Sequence, residues 1–155
     1  MVRYFLVGIG GFLGAIARFW IGDLVAARLG SRFPFGTLLV NCSGCFALGL
    51  VIAVLDGRTH WNSGWRYLVP IGFIGAYTTF STFEMETFGS LQEGRFGVAA
   101  LNIIASLAVG LVAVWLGMTA GNMLAAPQGA ATSAGALVGS VAASLESAAD
   151  ASSAD

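Results

Sequence analysis

Four long apolar runs, each closed by a short polar cluster, set the pattern of the chain. The first extends from Tyr4 to about Ala27 and ends at Arg28, Gly30, Ser31 and Arg32. The second covers Phe35 to Leu55 and closes at Asp56-Gly57-Arg58. A polar loop, His60-Trp61-Asn62-Ser63-Gly64, follows, with Trp61, Trp65 and Tyr67 placed as interfacial anchors. The third run begins near Arg66, reaches about Leu91 and ends at Gln92-Glu93-Gly94-Arg95. The fourth goes from Phe96 to about Leu124 and stops at Pro127. A bilayer crossing needs about 20 mostly apolar residues. The pattern therefore predicts an all-α integral membrane protein with four transmembrane helices. Residues 1–127 form the expected membrane domain. Residues 128–155, rich in Ala, Ser and Gly and carrying Glu146, Asp150 and Asp155, are expected to be a flexible, solvated tail.

Composition agrees with a membrane setting. Hydrophobic residues make up 57% of the chain and charged residues 10%, where a soluble domain carries about 25% charge. Mean hydropathy is +0.82. A soluble fold of this composition would expose more apolar surface than monomers tolerate. The first run follows a single basic residue, is long enough to span and lacks a small-residue cleavage site, so no cleavable signal is expected. The net charge of −1 supplies no basic field for nucleic acid. Cys42 and Cys45 form a C-x-x-C inside an apolar span with no second pair or adjacent histidine, which favours small-residue packing over redox or metal chemistry. The lone histidine, His60, falls in a loop, and no nucleophile–base or ligand cluster marks an enzyme.

The seven basic residues are all arginine. Arg3, Arg58 and Arg66 fall on one side of the four crossings; Arg28, Arg32 and Arg95 fall on the other. Orientation follows the basic bias of short loops, and here the two sides balance. A balanced chain is expected to insert both ways and pair with an inverted copy, unless other factors set its topology. Gly-x-x-x-Gly spacings at Gly10–Gly14 and Gly117–Gly121 favour close helix association.

Polar residues at membrane depth are costly and mark candidate function. Asn41 in the second run offers amide donors or serves as interhelical glue. Arg18 in the first run either snorkels to the interface or faces a polar cavity. The densest signal is Gly72-Phe73-Ile74-Gly75-Ala76-Tyr77-Thr78-Thr79-Phe80-Ser81-Thr82-Phe83-Glu84-Met85-Glu86. Glycines and β-branched threonines weaken helix here, so a break is expected near Gly75–Thr78; a continuous helix with back-bonded Ser/Thr is the alternative. Carbonyls exposed at such a break can coordinate a small cation. Phe80 and Phe83 share a helix face flanked by Ser81 and Thr82. Phenyl rings have positive edges, so edges and hydroxyls together suit a small anion that sheds water. Asn102 and Ser106, four apart, either extend this donor track or pack.

These elements resemble the CrcB/Fluc family of fluoride channels. The resemblance rests on Gly-Ala-Ile-Ala-Arg at Gly14–Arg18, Gly-Thr-Leu-Leu-Val-Asn at Gly36–Asn41 and the segment Gly72–Phe83, and covers Met1 to about Leu124. It implies a multi-pass protein of the cell inner (plasma) membrane, surrounded by lipid and working as an antiparallel, dual-topology homodimer. The implied activity is passive export of fluoride, which lowers cytoplasmic fluoride. Phe80 and Phe83 would supply an aromatic box, Asn41 a donor to the ion, and Ser81, Thr82 and Ser106 a polar track. Backbone carbonyls of Gly75 and Thr78 would hold a structural Na⁺ at the dimer centre. Arg18 and Glu86 match polar positions near the pathway ends. The competing reading is a small proton-coupled exporter built as an antiparallel four-helix dimer. It requires an embedded carboxylate in the first helix, where the one acid, Asp23, lies close to the end.

Overall fold

The computed structural model describes residues 1–30, 32–56 and 64–125. Ser31, the loop holding Arg58, His60 and Trp61, and the expected tail lie outside the described residues. Those described are helical or in short connections, with no strand among them.

Three helices are long and apolar enough to cross a membrane: α1 (Val2–Leu29), α2 (Phe35–Asp56) and a last helix, α6 (Phe96–Ala125). Their bounds fall within a few residues of the expected runs because local chemistry ends them. Gly30 takes φ +77° beyond α1, and its N–H reaches the Ala26 carbonyl; a residue with a Cβ pays steric strain there. Pro34 precedes α2, where its missing N–H costs nothing, and its carbonyl accepts from Leu38 N–H. Gly94, at φ +71°, turns the chain into α6, with Arg95 N–H returned to the Ser90 carbonyl.

The third run is not one helix. It comprises α3 (Gly64–Arg66), a π-helix (Tyr67–Ile74), α4 (Gly75–Tyr77) and α5 (Phe80–Gln92). Pro70 stands inside the π-helical turns. Proline lacks the N–H of a regular helix and clashes with the preceding turn; widening the turns relieves both, and Gly75 N–H reaches back five residues to the Pro70 carbonyl. The break falls slightly later than the glycines suggest. Gly75 to Tyr77 remain helical, while Thr78 (φ −77°, ψ 154°) and Thr79 (φ −148°, ψ 115°) are extended.

Packing is pairwise: α2 lies on α6, and α1 on the π-helix and α4. The two Gly-x-x-x-Gly spacings serve these intramolecular contacts. A Cβ on Gly10 or Gly14 would overlap the backbone of Leu68 or Phe73, and one on Gly117 would overlap the Phe46 carbonyl. Absent side chains let these backbones touch, which is how helices associate where lipid removes the hydrophobic drive. The outward surface carries Phe12, Phe19 and Trp20 of α1 and Leu107, Leu111 and Trp115 of α6. Such a surface belongs in hydrocarbon: this is a membrane protein.

Candidate functional site

The site is built around the break at Thr78–Thr79. In a continuous helix Thr79 N–H would return to the Gly75 carbonyl. Here it donates to Asn41 Oδ1 at 2.8 Å, and Asn41 Nδ2 donates to the Thr79 carbonyl at 3.0 Å. The amide of Asn41 thus pairs with both polar groups of one residue, as a neighbouring strand would. An asparagine has two N–H donors, so one remains for another acceptor. Asn41 is therefore interhelical glue, joining α2 to the break, with one amide N–H left over.

Thr79 also starts α5. Its Oγ1 accepts from Thr82 N–H at 3.3 Å and donates to Thr82 Oγ1 at 3.0 Å. Ser81 Oγ lies 3.5 Å from the same oxygen. This is an N-cap, which satisfies an otherwise orphaned donor of the first turn. Threonine three residues before another hydroxyl, at the end of a weak helical stretch, was the legible signal for it. Because Thr79 and Thr82 N–H groups are engaged this way, the Gly75 and Thr78 carbonyls do not receive their usual helical donors. Carbonyl oxygens released from helical bonding are the donor type a hard cation such as Na⁺ would take. The break is held against α2 by Gly44, where a Cβ would overlap the Thr78 methyl, and by a 2.8 Å hydrogen bond between Ser43 and Tyr77 hydroxyls.

Phe80 and Phe83 begin α5 with ring centroids 5.8 Å apart, tilted by 41°. Their environments are opposite: Phe83 is 8% exposed and Phe80 73%. Ser81 and Thr82 are exposed beside them. One ring is fixed in the bundle and the other is presented outward, so a pathway using both lies at the protomer's edge.

On another face of α5 a cavity of about 590 Å³ is lined by Arg18, Arg32, Arg95, Thr37, Thr82 and Glu86, among others. Arg18 thus faces a polar cavity. Thr37 Oγ1 donates to Glu86 Oε1 at 2.8 Å, while Oε2 is buried without a hydrogen-bond partner among the described residues. Arg95 donates to Glu93 and to the Arg32 carbonyl, both at 2.7 Å. Thr82 borders both the cavity and the hydroxyl cluster at the break, so the two are continuous in chemistry.

Asn102 is 1% exposed. Its Nδ2 donates to Thr87 Oγ1 at 2.8 Å, and Thr87 donates to the Phe83 carbonyl at 2.7 Å. The amide clamps α6 to α5 and thereby positions Phe83. Ser106 Oγ is 3.5 Å from Asn102 Oδ1 and half-buried. Thr37, Thr79 and Thr87 are not singled out as site residues by the sequence, because the partners that give them their roles, Glu86, Asn41 and Asn102, come from other helices. Cys42 and Cys45 are free thiols; Cys42 lines an apolar groove with Leu38, Leu39 and Val109.

Residues 5–118 match the family model described as CrcB-like protein, Camphor Resistance (CrcB). The chain is 50% identical over 125 residues to the fluoride-specific ion channel FluC of Acidobacterium capsulatum, covering 81% of this chain and 100% of that protein. It is 43% identical to the protein of that name from Solibacter usitatus, over 75% and 95% of the two chains. Identity is also 43% to that of Hydrogenovibrio crunogenus, over 82% and 96%. A helix broken between hydroxyl residues, an aromatic pair beside it and relatives matched over nearly their whole length lead to one conclusion: the chain belongs to the CrcB family.

Proposed function

We propose that this protein is a fluoride-selective channel that lets F⁻ leave the cell passively, with no covalent chemistry and no nucleotide. The observation that carries this reading is the arrangement at the break. Asn41 keeps a spare amide donor, Ser81 and Thr82 present hydroxyls, and Phe80 and Phe83 form a tilted aromatic pair in the same first turn of α5. Small anions accept strong hydrogen bonds, so a track of neutral donors offsets their dehydration without trapping them as fixed cations would. Relatives bearing the name fluoride-specific ion channel support the same substrate.

The working form in this reading is an antiparallel, dual-topology homodimer in the inner membrane. The segment from α3 through α5 makes the fourth crossing within residues 1–127, with residues 128–155 as a separate tail. The outward-facing Phe80 supports a pathway completed by a second, inverted copy. Arg18 and Glu86 line its wide end, and Ser106 extends the track on α6. The Gly75 and Thr78 carbonyls would hold a Na⁺ where the two copies meet. When bound, that ion supplies a fixed positive charge that ties the broken helices together.

The deciding experiment is efflux from liposomes containing the purified protein, read with ion-selective electrodes. Fluoride efflux with chloride retained, and unaffected by collapsing the proton gradient, is expected. Equal flux of both halides, or none of fluoride, would sink the channel reading; flux that follows the proton gradient would favour an exporter.

A further inference from the structure

Glu84 is the one carboxylate on the outward face of α5 whose setting the arrangement above does not use. It is exposed and has no hydrogen bond or ion pair among the described residues. Helical spacing puts it between Phe80 and Phe88, four residues away on either side. Phe88 is 55% exposed and Leu91, on the same face, 41%. A carboxylate therefore stands at the centre of an otherwise apolar, outward-facing stripe.

Snorkelling does not rescue it. α5 starts at the break, and Glu84 follows Phe80 by four residues, or about 6 Å of helix rise. With the break at mid-membrane, as the channel reading has it, the remaining distance to the headgroups is about 9 Å of a 15 Å half-thickness, beyond the reach of a glutamate side chain. A charge held there in lipid is expensive, and acids within membranes as a rule face water or a protein partner. The arginines near α5, Arg18, Arg32 and Arg95, line the cavity on its Glu86 face; α6 carries no titratable side chain, α2 contributes only Cys42, Cys45 and the terminal Asp56, and no ion pair to Glu84 forms among the described residues.

We propose that Glu84 faces the aqueous ion pathway beside Phe80 and that its negative charge limits anion occupancy, making it a rate-setting residue. The inference rests on the two-copy channel reading, because only that reading puts water on this face. It adds a residue that acts against the ion, where Asn41, Ser81 and Thr82 act for it. A like charge several ångströms away in a partly hydrated pore is worth about a two- to tenfold change in anion occupancy.

Fluoride efflux from liposomes tests this with three variants in the full chain. Glu84→Gln keeps shape and removes charge, so flux should rise about two- to tenfold. Glu84→Asp keeps charge and should stay near wild type, and Glu84→Leu should lower flux by drying the path. Wild-type flux in both the Gln and Leu variants would overturn the proposal. A second probe does not depend on flux: dicyclohexylcarbodiimide, which partitions into hydrocarbon, labels lipid-facing protonated carboxyls. Peptide mapping should find Glu84 unlabelled in wild-type liposomes. Labelling at Glu84 would overturn its pathway placement even if the protein conducts fluoride. An unlabelled Glu84 in a protein without fluoride flux would leave the placement standing and remove the substrate assignment instead.

Discussion

Asn41 and Phe80 show how one residue's position separates stability from transport. Asn41 makes two hydrogen bonds to the Thr79 backbone. Asn41→Ala leaves both groups of Thr79 without partners, and each unsatisfied buried group costs about 1–3 kcal/mol. The variant should therefore lose stability in a detergent thermal melt as well as fluoride flux. Phe80 differs, because most of its ring is outside the protomer core. Phe80→Ile should leave the protomer's melting temperature within a few degrees of wild type yet abolish or sharply reduce flux. Retained wild-type flux in that variant would remove Phe80 from the pathway. Phe83, being buried, should show both losses when changed.

At the scale of elements, close backbone contact and polar clamps replace a soluble protein's hydrophobic core. Gly117 meets the Phe46 backbone, whereas nothing lies within 4 Å of a Cβ on Gly97 of the same helix. Gly117→Val should destabilise the α2–α6 pair by about 1–3 kcal/mol or more, as overpacking does. Gly97→Ala should be neutral or slightly stabilising, since alanine is the better helix former. Equal stability of the two variants would contradict the observed packing. Asn102→Ala tests the α5–α6 clamp: Thr87 would lose its donor, costing about 1–2 kcal/mol. Fluoride-over-chloride selectivity should hold in that variant if the amide only positions Phe83. The Gly-x-x-x-Gly spacings were readable as association motifs, but not which helix they meet. Small-residue spacing marks a surface as close-packing and says nothing about its partner.

For the whole molecule, the balanced arginines and the outward-facing stripe of α5 point the same way. A chain without basic bias has no electrostatic preference between orientations, and in the proposed channel a second copy completes the pathway. Tag accessibility in intact cells should find termini on both sides of the membrane; one orientation alone would refute dual insertion. Replacing Na⁺ by a large organic cation during purification should lower the dimer's thermal stability. Unchanged stability would remove Na⁺ from the assembly. Two of the exposed ion pairs, Arg66–Asp56 and Arg95–Glu93, are worth little by themselves and should not decide the fold.

Local sequence determined the membrane class, the three long spans with their ends, and the presence of a break in the third run. Each follows from neighbours in the chain: apolar length, a glycine at positive φ, or threonines and a proline that resist a regular helix. The tertiary structure decided what depends on residues remote in sequence. Thr79 is extended because Asn41, 38 positions earlier, takes its N–H, which moves the break past the glycines to Thr78–Thr79. Asn102 became a clamp because α6 brings it to Thr87, 15 positions back. Hydropathy reports the cost of placing a segment in lipid, which is set segment by segment. Which donor satisfies which acceptor is set only when helices pack, and in hydrocarbon no water can substitute for the right partner.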